Sequence, residues 1–159
     1  MVFTATTEAS FLVSSADINE LHSEDILTIV SRTTVKDVML VITADDFGMT
    51  RNATDSIVEF SWRKRISSAS AMVFMADSER AASLALESGL EVGLHLNFTL
   101  SFSEDGVSQK LRAHQKRLVS YLGKHKLSQL LFNPFLAQSF DIVFKAQQKE
   151  FVRVYGRKP

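Results

Sequence analysis

Two short motifs carry the side chains of this chain that could do chemistry. Asp45 and Asp46 are adjacent and follow an apolar run that ends at Ile42. Neighbouring carboxylates suit metal-dependent hydrolysis, since one can bind a divalent cation while the other accepts a proton from the metal-bound water. His95 lies in a later strand-like segment, and a neutral imidazole can join a carboxylate on zinc or a related metal. Together the three side chains indicate a site for a divalent cation.

Each of these residues also has a purely structural interpretation. An acidic pair at a strand end can cap a helix or face solvent, and a half-buried histidine can be satisfied by backbone or water. Two protein ligands are also fewer than the three that a stable metal site normally takes from protein. His114 and His125 fall in a basic stretch and are interpreted as surface residues, and His22 lies in an N-terminal extension.

The strands that must position these residues are predicted from their hydrophobic patterns. The continuously apolar residues 38–42 predict a strand covered on both faces. A second strand is predicted at 69–75, and strict alternation predicts a third at 90–99, with His95 and Asn97 on its polar face.

The adjacency of Asp45 and Asp46 sets a geometric condition on the first strand. Neighbouring strand residues point to opposite faces. Both carboxylates can therefore reach one site only if the backbone turns there, and we expect Phe47 and Gly48 to supply that turn.

Helices are predicted between and after the strands. Thr50 is the expected N-cap of a helix over 51–65, and Asp77 that of a helix through Glu87. One or two helices are expected within 110–131, and Pro134 should open a last helix that Gly156 ends. The inward residues predicted for the first and last helices are Ile57, Val58 and Trp62, then Leu136, Phe140, Val143, Phe144, Phe151 and Tyr155. Strands that alternate with helices predict an α/β fold with parallel βαβ units.

Composition excludes several classes of function. Eighteen basic residues balance eighteen acidic ones, so no net charge attracts nucleic acid or an anionic membrane. The absence of cysteine excludes disulfides, thiolate metal sites and a cysteine nucleophile. Because no segment has the features of a signal peptide or a membrane span, we expect a cytoplasmic protein without nucleic-acid or membrane partners. A homo-oligomer is compatible with the sequence.

Three segments resemble one known family. Residues 43–50 (TADDFGMT) resemble the opening motif of the YdjC-like carbohydrate deacetylases, which include chitooligosaccharide and hopanoid-associated branches. Residues 66–73 (ISSASAMV) are similar to the family's second strand, and residues 92–97 (VGLHLN) to its histidine-bearing strand. The resemblance covers residues 37–100, and more loosely the helix that ends in 155–159.

The resemblance implies a fold, a reaction and a set of roles. The family fold is a distorted (β/α) barrel of the polysaccharide-deacetylase type, and the reaction is hydrolysis of N-acetyl groups on amino sugars or oligosaccharides. Asp45 would be the catalytic base, and Asp46 with His95 would hold a divalent metal, Mg²⁺ or Zn²⁺. The substrate expected from the family is an acetylated amino sugar or oligosaccharide.

The resemblance also implies an incomplete site. In the family a histidine-rich segment after a stretch like 156–159 brings the third metal ligand, which this chain does not contain. We therefore expect an incomplete barrel that is inactive by itself. Residues 1–36 would be a weakly patterned extension, and residues 37–159 the N-terminal part of a deacetylase domain.

Two alternatives come from other classes of protein. One is a non-catalytic remnant or partner-binding fragment of the same fold. The other is a receiver-like signalling domain, which also places an acidic pair after its first strand. That domain requires a phosphoacceptor aspartate at the end of its third strand, where this chain has His95 and Asn97.

Overall fold

The computed structural model describes residues 2–4, 41–124 and 133–159. The strands are β1 (Val2–Thr4), β2 (Val41–Phe47), β3 (Ser68–Ala71) and β4 (Glu91–Leu94). The helices are α1 (Arg51–Trp62), α2 (Ser78–Ser88), α3 (Gln109–Leu122) and α4 (Ala137–Tyr155), with a 3₁₀ turn at Pro134–Leu136 before α4. The chain divides into two compact units, of which one comprises residues 4–41. Only Thr4 and Val41 of that unit are described.

The described strands form one sheet in the order β1-β2-β3-β4. β2 pairs in parallel with β3, and β3 pairs in parallel with β4. The intervening helices α1 and α2 complete two successive parallel βαβ units, which confirms the predicted α/β class. A closed barrel is not formed by the described strands and stays a prediction.

The two faces of the sheet differ in polarity. One face carries buried apolar side chains that pack with α1, α2 and α4 in a single cluster. Its strand members are Ala44, Phe47, Ala69, Ala71 and Val92. The opposite face carries polar, half-buried residues such as Thr43 and Ser68, whose hydroxyls are 2.7 Å apart. Of the predicted first strand, Val41 and Ile42 are half-buried and residues 38–40 lie outside the described residues, so its coverage on both faces stays a prediction.

The helix boundaries follow the predicted capping residues. Thr50 caps α1 by accepting a hydrogen bond from the backbone N–H of Ala53 at 3.3 Å. Gly89 and Gly156 both adopt φ of +67°, the left-handed conformation that ends a helix. Asp77 stands at the N-cap of α2 but makes no capping bond, and instead binds Arg80.

Two predicted core positions are exposed. Trp62 is 68% exposed, because α1 ends at this residue, whereas Thr54, Ile57 and Val58 earlier in the helix are buried. Phe144 is exposed because the buried residues of α4 recur every fourth position, and Phe144 is not one of those positions. That stripe consists of Ser139, Val143, Gln147, Phe151 and Tyr155.

The third strand ends earlier than its alternation predicts. β4 stops at Leu94, and beyond it the pattern reverses, since Leu96 is 38% exposed while Asn97 is 2% exposed. Asn97 turns the chain, because its Oδ1 accepts hydrogen bonds from the backbone N–H groups of Thr99 (3.2 Å) and Leu100 (2.8 Å). His95 therefore stands one residue beyond the end of β4.

A second apolar cluster lies among α3, α4 and the segments that follow β3 and β4. Its buried members are Met72, Met75, Phe102, Val107, Leu118 and Val143. No helix in the described ranges is long and apolar enough to cross a membrane.

Candidate functional site

A β-bulge in β2 places the acidic pair. Ala44 lies opposite Ala69 and Phe47 opposite Ala71, so β2 uses one residue more than β3 over this interval. The extra residue is accommodated at Asp46, whose φ of +66° lies in the left-handed region. Aspartate adopts this region more readily than most residues. The turn expected at Phe47 and Gly48 therefore begins earlier, at Asp46 itself.

Gly48 completes the change of direction. The backbone N–H of Met49 donates to the Asp46 carbonyl at 3.1 Å, and Gly48 has φ of +86°. A Cβ at Gly48 would lie 3.1 Å from the Met72 carbonyl oxygen and 3.2 Å from Ser78 Cα. Glycine is thus required here by both conformation and space.

The bulge brings Asp45 and Asp46 to His95, but to different ring nitrogens. Asp46 Oδ1 lies 3.7 Å from His95 Nε2, and Asp45 Oδ1 lies 4.0 Å from His95 Nδ1. The three side chains are 27%, 45% and 33% exposed for Asp45, Asp46 and His95 respectively. The structure thus brings together all three predicted site residues on the open, polar face of the sheet.

Ser70 lies between Asp45 and His95 and was not predicted as a site residue. Its hydroxyl donates to Asp45 Oδ1 at 2.7 Å and is 3.0 Å from His95 Nδ1. The available signal was its place in the sequence: Ser70 follows Ser68 by two residues and so shares the polar face of β3. Without knowledge of the strand register, that face could not be matched to Asp45.

The geometry fits a divalent cation at Asp46 and His95. Metal–ligand bonds of about 2.0–2.2 Å allow two ligand atoms on one ion to lie up to about 4 Å apart. The separation of 3.7 Å between Asp46 Oδ1 and His95 Nε2 falls within that limit. An imidazole with a carboxylate is a donor set that suits zinc and related metals.

Glu79, Glu104 and Glu150 form a separate acidic cluster. Among the described residues, one carboxylate oxygen from each of these side chains lies within 4.8 Å of the other two. Arg153 lies in it and donates hydrogen bonds to Glu79 and Glu150. Burial raises the pKa of the Glu104 carboxyl, and the nearby charges of Glu150 and Glu79 raise it further. Arg153 therefore forms an ion-pair network with Glu79 and Glu150, and Glu104 lies beside it.

The remaining histidines lie apart from this chemistry. His114 is half-buried, with its Nδ1 3.0 Å from the Ser139 hydroxyl, so it links α3 to α4 and is not the surface residue that was predicted. His22 and His125 lie outside the described residues.

A protein family and a solved structure are similar to this chain. The profile of the YdjC-like protein family matches residues 39–159. A crystal structure of a protein from Enterococcus faecalis, proposed to act in cellobiose-phosphate cleavage, is similar with a TM-score of 0.51 and 26% sequence identity. That match covers 75% of this chain and 45% of the Enterococcus protein, so the chain spans less than half of the relative's length. No curated protein matches the chain.

Proposed function

The chain belongs to the YdjC-like family, which is related to carbohydrate deacetylases, and from this we propose that Asp45, Asp46 and His95 are active-site residues of a metal-dependent carbohydrate deacetylase. Hydrolysis of N-acetyl groups on an amino sugar or oligosaccharide is the proposed reaction. The receiver-like alternative loses its support, because the family match extends over residues 39–159.

The observation that carries the proposal is the pairing of Asp46 with one nitrogen of His95. Their ligand atoms are 3.7 Å apart on a solvent-accessible face, and Asp45 lies beside them without sharing the same nitrogen. This separation of the two carboxylates matches two roles, one in binding the cation and one in proton transfer.

Each residue has a proposed task. Asp46 Oδ1 and His95 Nε2 hold the cation, Mg²⁺ or Zn²⁺, which when bound supplies Lewis-acid activation of the amide carbonyl and of water. Asp45 is the general base that accepts a proton from the attacking water, and its partial exposure keeps it within reach of substrate. Ser70 holds Asp45 Oδ1 in place at 2.7 Å.

The same ligand set limits what this chain does alone. Two ligands are fewer than the three that catalytic zinc sites take from protein, and a third would come from outside the described residues. We therefore propose that Asp46 and His95, without a third ligand, bind a divalent cation weakly and do not support release of acetate from N-acetylated chitooligosaccharides. Submicromolar metal binding together with acetate release would overturn this part of the proposal.

Replacement of the proposed ligand tests the proposed site. Asp46→Asn preserves the side-chain shape and tolerates the left-handed backbone, so the fold should persist. We expect the affinity for Zn²⁺, measured by isothermal titration calorimetry, to fall by about tenfold or more because the anionic ligand is lost.

The matched control is Asp105→Asn, which removes an exposed carboxylate outside the proposed site and leaves the proposed ligand in place. Its effect on Zn²⁺ affinity should be smaller than that of Asp46→Asn. Equal affinities for the unmodified chain and the Asp46→Asn variant, with circular dichroism unchanged, would refute the assignment of Asp46 as a ligand.

A further inference from the structure

We propose that Ser70 is a positioning residue that sets the tautomer of His95 and so frees its Nε2 for a cation. This inference rests on the proposed function, because it assigns a task to a residue next to the proposed ligand. It concerns Ser70, His95 and Asp45, which are linked by hydrogen bonds across three adjacent strands or strand ends.

Proton counting on the Ser70 hydroxyl determines the direction of both bonds. A serine hydroxyl has one hydrogen to donate, and an ionised carboxylate can only accept. The 2.7 Å contact with Asp45 Oδ1 therefore uses the Ser70 hydrogen. The 3.0 Å contact with His95 Nδ1 can then be a hydrogen bond only if Nδ1 carries the proton and donates it to Ser70 Oγ.

A proton on Nδ1 of His95 also determines the state of Nε2, the other nitrogen of the ring. A neutral imidazole with a proton on Nδ1 has an unshared electron pair on Nε2, the form that binds a metal. Nε2 is the atom that lies 3.7 Å from Asp46 Oδ1. The tautomer that Ser70 selects is thus the one that directs an electron pair to the proposed cation position.

Asp45 cannot set this tautomer directly. Its Oδ1 is 4.0 Å from His95 Nδ1, which is too long for a hydrogen bond. In many metal sites the second nitrogen of a ligating histidine donates to a carboxylate or carbonyl. Here the Ser70 hydroxyl lies between His95 and Asp45, so Asp45 acts on the His95 ring only through the hydrogen bonds of Ser70.

The backbone holds this arrangement in register. Ser70 lies opposite Gly93 in the parallel β3–β4 pair, and the backbone N–H of His95 donates to the Ala71 carbonyl at 2.8 Å. The His95 backbone is therefore tied to the residue that follows Ser70, so the Oγ–Nδ1 contact does not depend on a free loop.

The test reads the tautomer without any metal. Nitrogen-15 NMR of the labelled imidazoles in the metal-free chain distinguishes a protonated from an unprotonated ring nitrogen. A His95→Gln sample identifies the His95 signals. We expect the unmodified chain to show His95 with its proton on Nδ1.

Ser70→Ala removes the acceptor for that proton. We expect a larger share of the Nε2-protonated form in this variant, and a fall of about 10–100-fold in Zn²⁺ affinity, the range found when groups that orient a ligand are lost. Ser70→Thr keeps the hydroxyl and should restore both the tautomer and the affinity.

Ser68→Ala is the matched control. Ser68 lies on the same strand and face, but its hydroxyl contacts Thr43 Oγ1 at 2.7 Å, away from the histidine. This variant should change neither readout. If Ser70→Ala does not fold, Asp45→Asn provides the second variant, because an amide can donate to Ser70 and release its hydrogen towards Nδ1.

The outcomes separate the two proposals. Absence of Zn²⁺ binding in every variant, with the expected tautomer shift present, would refute the metal site and leave the role of Ser70 standing. Metal binding with an unchanged His95 tautomer in Ser70→Ala would refute the positioning role alone. A tautomer shift of the same size in Ser68→Ala would also refute it.

Discussion

At the scale of single residues, the conformation of Asp46 decides whether the Asp45 and Asp46 carboxylates can lie on one face of the sheet. In a regular strand, Asp45 and Asp46 would point to opposite faces of the sheet. The left-handed φ of +66° at Asp46 removes that separation, and such a conformation costs about 1–3 kcal/mol in most non-glycine residues. The sequence predicts a turn at Phe47 and Gly48, whereas the turn begins at Asp46, and the tolerance of aspartate for this region was the available signal.

Gly48 allows a direct test of the turn. Gly48→Ala should lower the free energy of unfolding by about 2 kcal/mol or more, because alanine is strained at φ of +86° and its Cβ would crowd the Met72 carbonyl. Urea denaturation measures the change. Gly93→Ala is the control, since its Cβ meets no atom within 4 Å. Equal losses in both variants would contradict the explanation.

At the scale of elements, the segment after β4 is held by buried amides. The backbone N–H of Asn97 donates to Gln147 Oε1 at 2.8 Å, and Gln147 Nε2 donates back to the Asn97 carbonyl at 3.1 Å. Gln115 Nε2 donates to the same carbonyl at 3.0 Å. Helices α3 and α4 thus hold the chain two residues beyond His95.

Removal of Gln147 should disturb this segment. Gln147→Leu leaves the buried N–H of Asn97 without its acceptor and removes one of the two donors to the Asn97 carbonyl. Each unsatisfied buried group costs about 1–3 kcal/mol. We expect a loss of about 2–4 kcal/mol in unfolding free energy, measured by chemical denaturation. Gln148→Leu, one position along α4 and only half-buried, should cost much less. A similar loss in the two variants would contradict a specific role for Gln147.

Local signals predicted the elements better than their ends. Thr50, Gly89 and Gly156 act on their own neighbours, and each marks a boundary that could be predicted from sequence. The end of β4 depends instead on Asn97 and Gln147, which are 50 residues apart. A contact of that range leaves no local pattern, so the alternation through 90–99 predicted too long a strand.

At the scale of the whole molecule, a charged network joins elements that are distant in sequence. Arg153 of α4 binds Glu79 of α2 and its neighbour Glu150, and Glu104 from the segment after β4 lies close to all three. The negative charge of Glu104 destabilises this network, because its partial burial and the charges of Glu150 and Glu79 oppose its ionisation.

The pKa of Glu104 predicts how stability depends on pH. Its folded-state pKa is raised above the ordinary value of 4.5, so its contribution to stability is fully present below that value and is lost as pH rises through the folded-state pKa. Glu104→Gln should therefore be more stable than the unmodified chain at neutral pH, and the gain should vanish in acid. Thermal unfolding across this pH range measures the difference.

The control is Glu87→Gln, which changes an exposed glutamate of α2 and should alter unfolding free energy by no more than about 0.5 kcal/mol. A destabilised Glu104→Gln variant at neutral pH would show that the Glu104 charge supports the fold and would contradict the prediction.

The proximity of Asp45, Asp46 and His95 was more predictable than the contacts around them. Asp45, Asp46 and His95 belong to segments with strong local patterns, and parallel strands bring their carboxyl ends to one edge. The roles of Ser70 and Gln147 were not predicted, because each depends on a partner in another element. Ser70 acquires its contacts only through the register of β2, β3 and β4. Gln147 occupies a buried position of α4 where a hydrophobic residue would be expected. Side-chain type alone does not carry that information.

The bulge at Asp46 has a consequence for how such a chain can change over generations. A deletion of one residue at position 45 or 46 would let β2 pair with β3 without interruption and would relieve the left-handed backbone. The shortened protein would gain regularity and lose one carboxylate. Regular strand pairing therefore gives no reason to keep the extra residue, and the reason for keeping it would lie in the second carboxylate. Among chains with this sheet, the presence of the bulge would then distinguish those that keep both carboxylates from those that have lost one.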